Sequence, residues 1–228
     1  MFKDKALSRK IILTQDGSHS IYVPQLQETY HSTHGARQEA EHIFIKEALS
    51  IAAQQKQSLN VLEIGFGTGL NAYLSMQYAL KHSLRINYYG IEKYPVSKEE
   101  IGLLNYHQDI VENKSYFQKL HQSQWGSSEL IAGEFYLEKM QVDFREMKLA
   151  NQYFDVVYFD AFGPDVQPEL WSAAIFQMIH QSMKSGGIMT TYSVKGDVRR
   201  AMKSVGFEVS KIPGPPGKRE ITRAIKIV

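Results

Sequence analysis

Asn60 to Leu74, NVLEIGFGTGLNAYL, decides the fold of this chain. Val61, Leu62 and Ile64 make a short apolar run of the kind buried on both faces of a parallel sheet. Three glycines at alternate positions follow, and a helix-forming segment comes directly after them. That order predicts a strand, a tight turn and a helix. Gly65, Gly67 and Gly69 remove the side chains that would hold a ligand away from the backbone.

The spacing narrows the ligand. A Walker A loop closes on Lys-Ser/Thr, and Leu70-Asn71 stands there instead, which argues against phosphate cradling. The dinucleotide fingerprint places its third glycine further on than G-x-G-x-G does. Glu63, two residues before the first glycine, would repel a pyrophosphate but suits an ammonium or a sulfonium. The pattern fits S-adenosylmethionine best, against a glycine turn that binds nothing. Glu63, Gly65, Gly67, Gly69 and Asn71 are assigned to that cofactor.

Outward from the turn, strands alternate with helices. Before it lie a small β-ribbon around Asp16-Gly17 and a helix over 37–54, whose Ala40, Ile43, Phe44, Glu47, Ala48 and Ile51 recur at helical spacing. His31 and His34 have no third ligand nearby in sequence, and no metal is expected. After it come a helix over 70–82 and strands over 86–92, 135–142, 154–160, 188–193, 207–212 and 221–227. The stretch 97–120 reads helical, 121–133 reads as a loop or insertion, and Pro168 and Gly186-Gly187 bracket a further helix.

Seven strands in this order predict an α/β fold: a doubly wound, mostly parallel sheet of the Rossmann-like S-adenosylmethionine-dependent methyltransferase type. Residues 1–35 are expected to form the β-ribbon and its continuation, and 36–228 the methyltransferase domain. Ligands in such sheets bind at the carboxyl ends of the strands. Glu92, Asp143 and Asp160 all fall on that rim. Glu92 is read as the acceptor for the ribose hydroxyls. Asp143 is read as the acceptor for the adenine amine, or else as a helix cap.

Composition bounds the rest. The 228 residues suit one α/β domain, and the lack of cysteine excludes disulfides, thiolate metal sites and a cysteine nucleophile. The charged start lacks the apolar core of a signal peptide, and no run of about 18 apolar residues occurs, so a soluble, cytoplasmic protein without a membrane partner is expected. The net charge of +2 is unevenly spread: from Lys195 onward nine Lys or Arg face three Asp or Glu, so that segment carries +6 and the rest −4. A basic end on a near-neutral enzyme suits a polyanion such as nucleic acid; a solvated basic face is the plain alternative.

GFGTGLN at 65–71, DAFGPDVQPELW at 160–171, VRRAMKSVGF at 198–207 and GKRE at 217–220 resemble the methyltransferase half of the tRNA 5-methylaminomethyl-2-thiouridine biosynthesis enzymes, the MnmC family. The likeness runs from about residue 28 to 225; D-x-F-x-P with the later P-x-x-W, and the closing K-R-E, carry most of its specificity. The resemblance implies methyl transfer from S-adenosylmethionine to the amine of 5-aminomethyl(-2-thio)uridine at the tRNA wobble position. Many relatives add a C-terminal FAD-dependent oxidase domain that prepares this amine. The expectation here is a stand-alone transferase, with a separate oxidase supplying the substrate.

Under that reading Asp160 is the catalytic candidate that meets the amine and also borders the cofactor. Phe162 is placed to stack on the target base, Lys218 and Arg219 to hold phosphates beside it, with Arg199, Arg200 and Lys203 next. Two other readings compete: a polyamine aminopropyltransferase or similar small-molecule amine transferase, and a catalytically silent RNA-binding module.

Overall fold

The computed structural model describes residues 8–107 and 111–227. The first seven residues of the expected N-terminal segment, Val228, and 108–110 within the expected helix over 97–120 lie outside them. The strands are β1 (Lys10–Leu13), β2 (His19–Val23), β3 (Glu28–Thr29), β4 (Ser58–Ile64), β5 (Arg85–Glu92), β6 (Ser128–Ala132), β7 (Phe135–Gln141), β8 (Phe154–Phe159), β9 (Met183–Thr191), β10 (Phe207–Pro213) and β11 (Glu220–Lys226). The helices are α1 (Ala36–Ala40), α2 (Ser50–Ala53), α3 (Leu70–His82), α4 (Lys98–Gly102), α5 (Val111–Gln122), α6 (Ala173–Ser182) and α7 (Gly196–Ser204). Between α1 and α2 the helix continues over Glu41–Leu49 with the wider i→i+5 hydrogen-bond pattern.

The main sheet runs β10-β11-β9-β8-β4-β5-β7-β6. Its centre, from β9 to β7, is parallel throughout, and β11 and β6 run antiparallel to their inner neighbours. β4 lies between β5 and β8, so the chain leaves it in opposite directions on its two sides. The crevice between the tips of β4 and β8 is therefore the switch point where doubly wound sheets hold ligands.

Every residue of β8 is buried, as an apolar run flanked by parallel strands requires. Leu62, Ile64, Val157 and Phe159 pack on one face with α6 and α7, while Val61, Val156 and Tyr158 pack on the other with α1 and α3. Ile21 of the antiparallel β1-β2-β3 ribbon is buried in that second cluster, so the ribbon shares the core of the sheet.

Three expectations change. The sheet has eight strands, because SELIA within the supposed loop 121–133 forms β6, which folds back on β7 through Gly133 at φ 53°. Only its last two residues, Ile131 and Ala132, are buried, which gives a weak apolar signal. The stretch 97–120 is two helices separated near 103–107. Pro168 starts only a single turn, Pro168–Leu170; α6 is capped by Ser172, whose hydroxyl accepts from the Ile175 N–H, and runs from Ala173 to Ser182. Gly186-Gly187 lies inside β9, after which the strand regains register with β8 at Val156.

At the opposite end of the sheet from the switch point, Asp155 accepts from Lys56 Nζ (2.6 Å), Lys184 Nζ (2.8 Å) and the Asn60 N–H (2.9 Å). Burial by itself would raise this carboxyl; the three donors outweigh it and hold the group below the usual range. Both lysines are partly exposed, so Asp155→Ala is expected to destabilise the fold by about 2–3 kcal/mol, less than a fully buried pair. Because the folded-state value is depressed, this contribution is complete above the unfolded value of about 3.9 and disappears as pH falls through the folded one. Urea unfolding of both proteins at neutral pH and near pH 3 should show the gap closing in acid.

Candidate active site

The glycine turn leaves β4 as expected and enters α3 at Leu70. Gly65, Gly67 and Gly69 all have positive φ (93°, 49° and 72°). Their smallness serves the protein as well as any ligand. A Cβ on Gly65 would lie 2.5 Å from the Asp160 carbonyl oxygen, and one on Gly69 2.9 Å from the His121 ring. The turn's amides are also largely spent internally: the Gly65 and Phe66 N–H groups both donate to the Ile91 carbonyl, and the Gly67 N–H donates to Glu92 Oε2 at 3.0 Å. A turn with its donors so occupied is no phosphate nest.

A cavity of about 1070 Å³ opens at the switch point. Of the residues assigned from sequence, Gly65, Gly67, Glu92, Asp143, Asp160, Phe162 and Lys218 line it together. Glu63, Gly69 and Asn71 stand behind the turn and outside the lining, as do Arg199 and Arg219. Tyr30, His31, Glu39 and Tyr192 line it too, and the sequence reading missed these roles. One signal was present for Glu39: it lies four residues before Ile43, on the apolar face of the predicted helix.

The acids differ sharply in their occupancy. Glu92 accepts backbone N–H groups from Gly67 and from Tyr94 (2.8 Å), one on each oxygen, so each oxygen keeps a lone pair toward the cavity. Asp143 caps the short turn Phe144–Glu146 and takes the Arg145 N–H, Nε and Nη2 together with Lys93 Nζ. These donors, the Arg145 guanidinium first, hold its carboxyl well below the usual range and fill its acceptor positions. An adenine amine on Asp143 therefore requires Lys93 or Arg145 to move.

Asp160 extends from the tip of β8. Its Oδ2 accepts from Asn71 Nδ2 at 2.8 Å, and no protein donor meets Oδ1 among the described residues. The same Asn71 nitrogen donates to Glu63 Oε1 at 2.8 Å, and Tyr88 donates to Glu63 Oε2 at 2.8 Å. Burial and the neighbouring Glu39 push the Asp160 carboxyl up; burial and Asp160 do the same to Glu63.

Opposite Asp160, Lys218 comes from the β10–β11 loop and lies deeper than a phosphate clamp should. Its Nζ is 2.5 Å from Glu39 Oε2 and 4.5 Å above the centre of the Tyr192 ring. Tyr192 in turn donates to the Ala161 carbonyl at 2.8 Å. Phe162 meets Tyr30 edge to face at 5.2 Å, and the Trp171 indole donates to the Phe162 carbonyl at 2.8 Å, which explains why a tryptophan follows D-x-F-x-P at that distance. Arg219 is exposed, whereas Arg199 is half-buried with its Nε on the Val194 carbonyl at 3.3 Å; Arg200 pairs with Asp197. His31 is buried and bonded to Thr68 at 2.9 Å, and burial lowers its pKa to about 4. Among the described residues no group of three metal-ligating side chains occurs, and no helix is long and apolar enough to cross a membrane.

The donor set fits a nucleoside bearing a sulfonium and an ammonium. Glycine backbone gives close approach at Gly67, Glu92 offers free lone pairs at the tip of β5, and Asp160 adds an acidic group without a pyrophosphate-binding nest. The comparisons agree with this fit. The profile of a family described as S-adenosyl-L-methionine-dependent methyltransferase matches residues 106–227. The tRNA 5-methylaminomethyl-2-thiouridine biosynthesis bifunctional protein MnmC of Cupriavidus metallidurans is 30% identical over 93% of this chain and 33% of its own length. That of Cupriavidus necator is 32% identical over 89% and 32%. The chain thus spans about a third of these curated relatives. Among solved structures, MNMC2 from Aquifex aeolicus superposes with a TM-score of 0.79 at 22% identity, over 97% of this chain and 71% of that one. Spermidine synthase from Thermotoga maritima gives 0.54 at 12%, over 98% and 82%. Both likenesses speak to the fold.

Proposed function

We propose that this chain, which belongs to the S-adenosyl-L-methionine-dependent methyltransferases, methylates the primary amine of a 5-aminomethyluridine, with or without a 2-thio group, at the wobble position of tRNA. The observation that carries the reading is the tip of β8: Asp160 keeps one unpaired oxygen in the cavity that contains the glycine turn, with Phe162 beside it. The relatives' names add the nucleoside. Their description as bifunctional suits a substrate amine made by a second activity, which we assign to an oxidase outside these residues.

S-Adenosylmethionine supplies an electrophilic methyl group, so the chain's own residues have to align and prepare the amine. An alkylamine with a pKa of about 10.4 is free in only about one molecule in 10³ at neutral pH, a handicap of roughly 4–5 kcal/mol. Asp160 by itself favours the ammonium form. Its contribution is to orient the nitrogen, stabilise the positive charge that grows on it during transfer, and take its proton directly or through water. The raised affinity of Asp160 for protons suits the last step. Phe162 and Tyr30 offer ring faces and edges to an unstacked base. Lys218, held on Tyr192 and paired with Glu39, orders the acceptor side of the cavity, and the basic C-terminal surface that carries Arg219 favours an acceptor that brings phosphate.

Exposed Arg219 is assigned to the tRNA backbone. Arg219→Ala is expected to weaken tRNA binding and reduce the slope of log affinity against log salt by about one unit. Lys218→Ala should change turnover more than that slope, since its charge is committed to the cavity. Filter binding across a salt series, with single-turnover rates, separates the two. The functional reading is tested by offering methyl-labelled S-adenosylmethionine to a mixture of polyamines and tRNA lacking the final methyl. Label in tRNA is expected; label in polyamine, or in neither, overturns it.

A further inference from the structure

We infer that Asn71 is the positioning residue of the acceptor carboxylate: its amide nitrogen ties Asp160 to the buried Glu63 and leaves the second Asp160 oxygen to the cavity. This rests on the reading of Asp160 as the group that meets the amine. The sequence placed Asn71 among the cofactor ligands, yet it stands behind the glycine turn and does not line the cavity.

Two bonds of 2.8 Å from one nitrogen define the arrangement. A primary amide carries two hydrogens on one planar nitrogen, so it serves two acceptors at once; a hydroxyl serves one, and an aspartate there would be a third acid. With its nitrogen between two carboxylates the amide has only one acceptable orientation. Its oxygen, turned away, is buried and has no partner among the described residues. Leaving such an acceptor unmet is unfavourable, so position is being held against a local cost.

Glu63 makes the same point. It is fully buried and joins no ion pair among the described residues; its donors are Asn71 and Tyr88. An apolar residue of similar size would satisfy the core better. A carboxylate there fixes the Asn71 amide, and Tyr88 fixes the carboxylate. The chain Tyr88–Glu63–Asn71–Asp160 thus runs from the core of β5 and β4 to the cavity wall.

The charges around Asp160 say what the amide does. Glu39 on α1 disfavours a negative charge on Asp160 and Lys218 on the β10–β11 loop favours it; Asp160 in turn pushes the buried Glu63 carboxyl on β4 up, and Tyr192 beyond β9 is neutral and faces the same space. The Asn71 bond favours the carboxylate against burial and Glu39. Without it, Asp160 should remain protonated to higher pH and turn more freely.

The test is Asn71→Leu, close in size and without a donor, with Tyr88→Phe as a second variant that leaves the cavity untouched. For Asn71→Leu, the acid limb of the single-turnover rate should move up by about one pH unit, and the plateau rate should fall by about 10- to 10²-fold. Cofactor affinity should stay within about threefold. In ligand-free protein carrying ¹³C-labelled aspartate carboxyls, the signal absent from Asp160→Asn should titrate at higher pH. Tyr88→Phe should shift both in the same direction by less. An unmoved carboxyl titration in both variants overturns the inference, as does a tenfold weaker cofactor with an unchanged acid limb, which would make Asn71 a cofactor ligand. If Asn71→Leu does not fold, Tyr88→Phe decides. If the wild type transfers nothing to tRNA, the functional reading fails, while the carboxyl titration still judges Asn71.

Discussion

Asp160→Asn is expected to lower methyl transfer by about 10²- to 10⁴-fold while cofactor affinity changes by no more than a few-fold. The substitution is nearly isosteric, and its amide oxygen can still accept from Asn71, so the tip of β8 keeps its shape. What disappears is the charge that meets the developing ammonium and the oxygen that takes its proton. Gly65, Gly67 and Glu92 on the donor side are untouched. Rapid-quench rates and calorimetric cofactor binding on the same preparation check the split. Near-normal turnover removes Asp160 from the chemistry, and an equal loss in both makes it a cofactor residue.

The second large effect is expected at Gly65. Its φ of 93° lies in the region that L-residues avoid, and an added Cβ would sit 2.5 Å from the Asp160 carbonyl oxygen and 2.9 Å from its carbon. Both are backbone atoms of Asp160 itself, so relief of the clash has to separate the tip of β4 from the tip of β8. Gly65→Ala is therefore expected to cost about 2–4 kcal/mol in stability. That corresponds to a fall of roughly 4–16 °C in melting temperature. Transfer should fall by at least about 10²-fold, because an ångström of misplacement between donor and acceptor is costly. Gly67→Ala is the internal comparison. Its Cβ would press on the Tyr30 ring, at 3.0 and 3.2 Å, which can swing away, and would meet backbone only at an ordinary 3.8 Å from the Gly65 oxygen. Calorimetric melts of the two variants should differ clearly; equal melts would show that the close approach of β4 and β8 is not what Gly65 secures.

These two residues also show how far the sequence could be read. Gly65 and Asp160 were legible because strand tips in a doubly wound sheet converge, so a glycine turn and an acid at the end of a later apolar run belong to one rim. The same alternation predicted a mostly parallel sheet, and the five central strands from β9 to β7 are parallel. β6 was not legible: SELIA is an edge strand with only Ile131 and Ala132 buried, and it borrows its register from β7. The partners of Asn71 and Lys218 were not legible, for one physical reason. A sequence gives a residue's type and neighbourhood, while its partners depend on elements far along the chain. Asn71 answers to Asp160, 89 positions away, and Lys218 answers to Glu39 on α1. Charge counting identified a basic C-terminal segment without revealing that one of its lysines is turned inward. The sulfonium reading rests on Glu63, which is buried behind the turn and does not line the cavity; the acids that reach it include Glu92 and Asp160 at strand ends.

The most direct measurement is nucleoside-resolved mass spectrometry of tRNA carrying 5-aminomethyl-2-thiouridine, after incubation with the protein and S-adenosylmethionine. The account predicts that the wobble nucleoside gains one methyl group, on its side-chain nitrogen, with wild-type protein, and that the gain is lost with Asp160→Asn. An unchanged wobble nucleoside with active, cofactor-binding wild type, or a methyl group on any other nucleoside, would contradict it.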